Sequence, residues 1–380
     1  MKDVLIFGSS GSIGKSSLNF LSKHEEFRIK GLCVNRDIQT LKKQIDKFRP
    51  GYVCVVDEAQ AEKLRKVLSP KVKFFKGESG LKEFSAVESD ISLMAISGIS
   101  SLVPLLINIG YTKRVALANK EAIVIAGSLI FSKAKLKNTE IIPVDSEISA
   151  LFQLFMRKDH KFEKVYLTAS GGALRNCPES DLLRITAKEV LAHPNWSMGQ
   201  RITVDSATLV NKAFEVIETH RFFDIDYNNI DVIIHRESIV HAMVEYRDKT
   251  VFSCLYPPNM SIPISYAFFY PSRVMSVKGL SFEKGLKLSF EPVDYARYPL
   301  LETIIKTAKK EDNGLAVLNA CDEVTVDYFL RDKIKFPEIA GVLKYFSKKY
   351  PSAIIKNVED VFYWDRWARE KTKEYLEKLC

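Results

Sequence analysis

The chain has 380 residues, 46% of them apolar, enough to bury two or three cores, and its 56 Lys and Arg outnumber its 47 Asp and Glu without gathering into one block. That intermixed surplus suits anionic small molecules and argues against a nucleic-acid-binding protein. Six dispersed cysteines (33, 54, 177, 254, 321 and 380) with no C-x-x-C pair argue against a zinc ribbon or a disulfide scaffold and fit a reducing cytoplasm.

In chain order, "DVLIFG" is a short apolar run that leads straight into glycines 8, 11 and 14, too short for a signal peptide. Strand, glycines and a following amphipathic stretch make a phosphate-binding turn, in which backbone N–H groups approach a pyrophosphate at the positive end of a helix. The spacing G-x-x-G-x-x-G departs from the usual G-x-G-x-x-G, and a plain tight turn has the same local pattern. The second run, "FRIKGLCV", ends in "NRD". Arg36 stands where a dinucleotide fold usually presents a carboxylate to a ribose 2′-hydroxyl, so a 2′-phosphate, and hence NADP, is favoured, although Asp37 beside it opposes that reading.

"YVCVV", "ISLMAIS", "RVALAN" and "EIIPVD" continue the strands, with "TLKKQIDKF", "AEKLRKVL" and "LVPLLINIG" as helical stretches between them. This alternation predicts an α/β domain with a doubly wound parallel sheet over residues 1–145. The uncharged stretch from Ile91 to Thr112 is broken by Gly98, Pro104 and Asn108 and reads as strand, loop and packed helix, with no membrane span. Lys120 in "ALANKEAI" follows a strand beside the nucleotide crevice, a place for chemistry as well as for a solvated lysine.

From 146 to 270, helices "ALFQLFM" and "SATLVNKAFEVIETHRFF" mix with strands "KVYLTAS", "IDVIIH", "IVHAMVEY" and "VFSCLY", which predicts an α+β domain. "PVDSEISA" sets Asp145 and Glu147 two apart; in an extended segment both carboxylates face one way, a geometry for a hard divalent cation. On a helix, Asn211 and Glu215 are i and i+4, with Lys212 alongside. The three carboxylates make a Mg²⁺ or Mn²⁺ site only if the fold brings them together, which spacing cannot show. "LTASGGALR" and "HPNWSMGQR" read as ligand loops, the second of a kind that closes over substrate. The proline-rich "PPNMSIPISYAFFYPSR" reads as a connection, 271–295 as a linker, and 296–380 as a C-terminal helical bundle in which Trp364 and Trp367 form a core stripe.

Taken together, "GSSGSIG", "LANKEA", "PVDSE-SA", "LTASGG", "HPNWSMG" and "VDSAT--NK--EVIE", in this order along nearly the whole chain, resemble the 1-deoxy-D-xylulose 5-phosphate reductoisomerase family. The resemblance implies an N-terminal NADPH-binding Rossmann domain, a central catalytic and dimerising domain and a helical C-terminal domain. It also implies a cytoplasmic bacterial homodimer that needs neither membrane nor nucleic acid. The implied activity isomerises and reduces 1-deoxy-D-xylulose 5-phosphate to 2-C-methyl-D-erythritol 4-phosphate with NADPH and Mg²⁺, Mn²⁺ or Co²⁺, in the non-mevalonate isoprenoid pathway.

By the same resemblance Asp145, Glu147 and Glu215 hold the metal and Lys120 manages charge on the reacting oxygens. Ser146 and Lys212 bind substrate hydroxyls; Ser170, Ser206, Asn211 and His193 bind its phosphate; Trp196 and Met198 belong to a flap. Gly8, Ser10, Gly11, Ser12, Ile13, Asn35, Arg36, Asn119, Glu121 and Gly199 contact NADPH. The chain departs from the family pattern at Ile148 (usually His), Ala173-Leu174 (Pro-Phe), Arg236-Glu237 (Pro-Gln) and "NACDE" (NAANE), which puts rate and metal preference in doubt more than reaction type. Among the residues themselves, two other readings remain: another two-domain NADP-dependent oxidoreductase, and a nucleotide-sensing or nucleic-acid-binding protein.

Overall fold

The computed structural model describes residues 1–155, 162–192, 194–196, 198–283 and 285–379. The chain begins with β1 (Lys2–Phe7), α1 (Ser12–Leu21), β2 (Phe27–Val34), α2 (Ile38–Phe48), β3 (Tyr52–Val55), α3 (Glu58–Arg65), β4 (Lys73–Lys76), α4 (Gly77–Ser85), β5 (Ser89–Met94), α5 (Leu102–Asn108), β6 (Thr112–Leu117), α6 (Lys120–Lys137), β7 (Glu140–Pro143) and α7 (Ser146–Leu154). There follow β8 (Phe162–Ala169), α8 (Ala187–Val190), α9 (Gln200–Thr208), α10 (Val210–Phe223), β9 (Ile230–Ile234), β10 (Val240–Tyr246), β11 (Val251–Leu255), α11 (Ser261–Phe269), β12 (Glu291–Pro292), α12 (Pro299–Ala308), α13 (Gly314–Leu330), α14 (Phe336–Phe346) and α15 (Val358–Leu376).

Contacts group these elements into two units that do not follow chain order. The first comprises Met1–Ala122, Ser128–Ser149 and Asn259–Lys278; the second comprises Ile123–Gly127, Ala150–Pro258 and Gly279–Cys380. In the first, seven parallel strands run β4-β3-β2-β1-β5-β6-β7, so the strand order reverses between β1 and β5. Val4, Leu5, Ile6 and Phe7 of β1 are fully buried, as a central parallel strand covered on both faces requires. The crevice at such a reversal is where doubly wound sheets bind ligands.

Two of the three early glycines are demanded by packing. Gly8 has φ +81°, and a Cβ there would lie 2.5 Å from the Ala95 carbonyl oxygen; at Gly14 it would lie 2.3 Å from the Gly8 carbonyl oxygen. α1 can therefore lie this close to the end of β1 only without side chains at both positions.

The second unit holds a mixed sheet in the order β11-β10-β8-β9-β12, with β8 parallel to β9 and the other pairs antiparallel. α10 packs against β8, β9 and α12, and α13 is a central helix with Leu315, Ala316, Val317, Leu318 and Cys321 all buried against α12, α14 and α15. The mixed α/β fold with a C-terminal group of helices is thus the one expected. Among the described residues no helix is long and apolar enough to cross a membrane.

Four local expectations are corrected. Residues 146–150 are the start of α7 and not extended, because the chain turns into a helix as soon as β7 ends. The expected continuous helix over 206–223 is two, α9 and α10, broken at buried Leu209, whose φ of +58° no helix continues through. The proline-rich stretch carries α11, since Pro263 sits in its first turn where no N–H is needed, and Phe268 and Phe269 pack on Phe27 at 5.8 and 5.1 Å. Trp364 and Trp367 are half-buried and meet edge to face at 5.7 Å, short of a core stripe. β4, α4 and α14 were not anticipated; "KFFK" mixes charge into too short a run to announce a strand.

Gly14→Ala should destabilise the protein by roughly 1–3 kcal/mol, since the added methyl meets backbone that cannot yield. Gly11→Ala, where a Cβ meets nothing nearer than 3.4 Å, should leave the thermal midpoint nearly unchanged. Thermal unfolding of both variants checks the contrast.

Candidate active site

In the first unit the glycine turn opens α1 with Gly11 at its N-cap and no side chain bonded to the helix end, which leaves first-turn N–H groups for an anion. Ser10 and Ile13 are half-buried beside exposed Gly11 and Ser12. A Cβ at Gly11 would meet only the Gly8 carbonyl oxygen, at 3.4 Å, so packing does not demand glycine here as it does at Gly8 and Gly14. Asn35 and Arg36 are exposed at the carboxyl end of β2. The neighbouring Asp37 carboxylate caps α2, accepting from the Thr40 N–H at 3.0 Å. That bond holds the carboxyl below its ordinary range.

Asn119 is buried at the N-cap of α6, where it accepts from the Ala122 N–H at 2.7 Å and donates to the carbonyls of Ile96 at 2.8 Å and Gly98 at 3.2 Å. Both amide hydrogens are thereby used in joining the β5 and β6 loops. Half-buried Glu121 lies in the first turn of α6.

Lys120, the first residue of α6, is 6% exposed, and its Nζ lies 2.5 Å from Asp145 Oδ2. Asp145 immediately precedes α7 and its Oδ1 accepts from the Glu147 N–H at 3.2 Å; the Ser146 hydroxyl donates to Glu147. Carboxylate oxygens of Asp145 and Glu147 come within 4.8 Å of one another. Helix geometry, not strand alternation, therefore gathers these acids, and together they offer hard oxygens of the kind Mg²⁺ and Mn²⁺ take. Ile148, one of the departures, is fully buried.

In the second unit the Leu209 break separates Ser206 on α9 from Asn211, Lys212 and Glu215 on α10. Glu215 is 1% exposed and accepts from Asn211 Nδ2 at 2.5 Å and from the Lys212 ammonium. A carboxylate this deep persists as a charge only with such donors around it. Ser170 follows β8, and Gly172, at φ +71°, lies so close to α9 that a Cβ would sit 2.6 Å from Ala207 Cα and 2.7 Å from the Ser206 carbonyl oxygen. This approach brings the Ser170 loop against Ser206, two hydroxyls suited to a phosphate.

Residues that sequence reading missed hold this loop. Tyr298 donates to the Gly171 carbonyl at 3.0 Å, Arg297 to those of Leu174 and Cys177 at 2.5 and 2.7 Å, and Arg175 to those of Ser170 and Arg236 at 3.1 and 3.0 Å. No local pattern announces such partners, which lie up to 127 residues away. Leu174 is buried, and Arg236 pairs in fork geometry with Glu291 of β12 at 2.8 and 2.9 Å, so these departures from the family pattern serve packing and sheet closure.

Of the proposed flap, His193 lies outside the described residues. Asn195 donates to the Arg236 carbonyl at 2.7 Å and to Ser238 at 2.8 Å, and Trp196 meets His241 edge to face at 6.2 Å. Met198 is half-buried and Gly199 caps α9. Just beyond, Arg201 binds Asp322 at 2.9 Å and Asn319 at 2.9 Å, fixing the start of α9 to α13. Burial pushes the Asp322 carboxyl up and Arg201 pulls it down; in the family pattern this position is Asn.

Family models match three segments: 1-deoxy-D-xylulose 5-phosphate reductoisomerase over 4–127, the C-terminal domain of that enzyme over 141–223, and the DXP reductoisomerase C-terminal domain over 255–371. The chain is 42% identical over 382 residues to the reductoisomerase of Caldanaerobacter subterraneus subsp. tengcongensis, spanning 99% of this chain and 100% of that one. It belongs to the 1-deoxy-D-xylulose 5-phosphate reductoisomerase family. The reductoisomerase of Chlorobaculum tepidum is 41% identical over 381 residues, 99% of this chain and 100% of its own. Among solved structures, the Zymomonas mobilis reductoisomerase in complex with NADPH superposes with a TM-score of 0.92 at 31% identity over 99% of both chains. A reductoisomerase in complex with NADPH, fosmidomycin and magnesium does so at 0.92 and 30%, covering 100% of this chain and 99% of that one.

The cap at Asp37 has a pH signature. Its folded pKa lies below the ordinary 3.8, so its stabilisation is complete only above about pH 5 and is lost as pH falls through the folded value. Asp37→Ala should cost about 1 kcal/mol at pH 7, and the gap to the parent protein should narrow between pH 5 and about pH 3 in denaturant melts.

Proposed function

We propose that this reductoisomerase converts 1-deoxy-D-xylulose 5-phosphate to 2-C-methyl-D-erythritol 4-phosphate with NADPH and a divalent cation, using the residues described above. The observation that carries the reading is the group of half-buried Asp145 and Glu147 with buried Lys120 in a chain alike over its full length to reductoisomerases. Asp145, Glu147 and Glu215 would hold the cation. The donor set fits: all three ligands are carboxylates, as hard cations prefer, and Lys120 and Lys212 already offset part of their charge. When bound, the cation supplies Lewis acidity toward the substrate's ketone and neighbouring hydroxyl oxygens, and NADPH supplies the hydride.

The chain's own groups do the rest. Lys120, held against Asp145, donates to oxygens that gain charge as the carbon–carbon bond breaks. Ser146 and Lys212 orient substrate hydroxyls, while Ser170, Ser206 and Asn211, with His193, take its phosphate. Trp196 and Met198 cover the reacting fragments so that water stays out and neither fragment leaves before they rejoin. Ser10 to Ile13 receive the NADPH pyrophosphate, and Arg36, with Asn35, the 2′-phosphate. Gly8, Asn119, Glu121 and Gly199 complete the cofactor contacts.

The working form is a cytoplasmic homodimer. Its support is the second unit's sheet, whose one face leaves Tyr166 and Met243 half-exposed and whose edge strand β11 exposes Val251 and Phe252. Mn²⁺ serves as well as Mg²⁺ by this reading, since both accept the same ligands.

The assay is oxidation of NADPH with 1-deoxy-D-xylulose 5-phosphate, with and without Mg²⁺ or Mn²⁺. Asp145→Asn, Glu147→Gln and Glu215→Gln should each lower kcat by at least about 10²-fold and raise the Mn²⁺ needed, with NADPH binding by fluorescence nearly intact. Parent-like turnover and metal affinity in any one variant removes that residue from the set. Arg36→Asp should raise the KM for NADPH by roughly tenfold or more and spare that for NADH, because it sets a carboxylate beside a 2′-phosphate. Equal effects on the two cofactors refute the assignment.

A further inference from the structure

Gln44 lies in the middle of α2, on the side turned to the glycine loop, and its carboxamide is buried. It reaches Ser9, 35 residues earlier in the chain. The Ser9 hydroxyl donates to Gln44 Oε1 at 2.7 Å, and Gln44 Nε2 donates to the Ser9 carbonyl at 2.8 Å. Ser9 is itself fully buried, and its N–H donates to the Cys33 carbonyl at 2.9 Å. Its hydroxyl, carbonyl and N–H are thus all held from outside the loop, by β2 and α2.

This arrangement asks for a carboxamide. Only a group that accepts from a hydroxyl with one atom and donates to a carbonyl with the other closes both bonds; a carboxylate accepts twice and leaves the carbonyl unpaired. A buried carboxamide is costly without partners, so evolution of a plain core position would favour an apolar residue here. The residues that follow Ser9 directly are Ser10 and Gly11, and the Gly11 N–H closes back on the Gly8 carbonyl at 3.1 Å. The geometry of the turn that presents N–H groups to a pyrophosphate therefore starts from Ser9.

We propose that Gln44 is a positioning residue for the cofactor: it clamps Ser9 so that the N–H groups of Ser10 to Ile13 stand ready for the pyrophosphate. The proposal rests on the reading of this loop as the NADPH cradle. Gln44 acts on the pyrophosphate, which NADPH and NADH share, so its loss weakens both cofactors by one factor. Arg36 acts on the 2′-phosphate alone, and the two effects are separable although both residues border the same helix.

The test uses the full-length chain carrying Gln44→Met, similar in shape but without either bond, and Gln44→Glu, which keeps one. Cofactor affinities are read by fluorescence titration, with kcat at saturating NADPH and the thermal midpoint alongside. Gln44→Met is expected to weaken NADPH and NADH alike by about tenfold, which is about 1.4 kcal/mol, with kcat at saturation and the KM for the sugar phosphate held. Gln44→Glu should not recover the loss, since it sets a carboxylate against the Ser9 carbonyl and toward the pyrophosphate. Ser9→Ala, which removes only the hydroxyl, should lose a smaller factor, and Ser9→Ala with Gln44→Met should lose no more than Gln44→Met alone.

A lowered midpoint with unchanged cofactor affinities would make Gln44 structural only and overturn the proposal. A collapse of the NADPH to NADH preference overturns it too, by placing the effect at Arg36. If the Gln44 variants do not fold, unchanged cofactor affinity in Ser9→Ala decides against it. Gly11→Val, which puts a branched side chain into the cradle, separates the two levels: if NADPH affinity survives Gly11→Val, the cradle reading itself falls, and if only the Gln44 variants leave affinity intact, the clamp alone falls.

Discussion

Lys120 and Asp145 are 25 residues apart, nearly excluded from water, and within 2.5 Å of each other. An ammonium and a carboxylate so deeply placed are each costly alone, and removing one leaves an uncompensated charge that the fold tolerates poorly. Their meeting is settled by strand register: β6 and β7 pair in parallel with Leu117 opposite Pro143, and each strand then gives way to a helix within three residues. Whatever the pair does in the reaction, it exists because two parallel strands end level with one another.

The same construction recurs throughout the first unit. β1 ends in the glycine turn and α1, β2 ends in Arg36 and α2, β6 in Asn119 and α6, β7 in Asp145 and α7. Parallel strands put all these ends on one side of the sheet, and helix starts bring N–H groups with them, so anions and carboxylates gather there without extra design. Polar side chains buried among those ends act as struts between loops. Asn119 joins the β5 and β6 loops, and Gln44 joins α2 to the turn after β1.

In the second unit the struts are arginines and a tyrosine. Arg175, Arg297 and Tyr298 hold carbonyls of the 170–177 loop, and Arg201 binds α9 to the buried acids of α13. Carbonyl acceptors satisfied from behind fix such a loop while its surroundings stay polar. The departures from the family pattern at Leu174, Arg236 and Asp322 fall into this supporting layer.

Six of the seven strands in the first 145 residues, the glycine turn, the donor types and the family itself were legible in the sequence, because periodicity and short motifs are local properties of the chain. Residues 146–150 and 206–223 were misread for a related reason: apolar spacing does not reveal that Ser146 starts a helix or that Leu209 takes a left-handed backbone between two helices. Nor could it show α11, where Phe268 and Phe269 gain their packing from Phe27, far away in the chain. Sequence by itself determined which chemical groups the protein owns and which family it joins. Only the tertiary structure decided which of them are held, by what, and how deeply: Lys120 by Asp145, Ser9 by Gln44, the Ser170 loop by Tyr298. The physical reason is that a buried polar group's partner is chosen by strand register and close backbone approach across many tens of residues, and neither leaves a mark in the residues on either side of it.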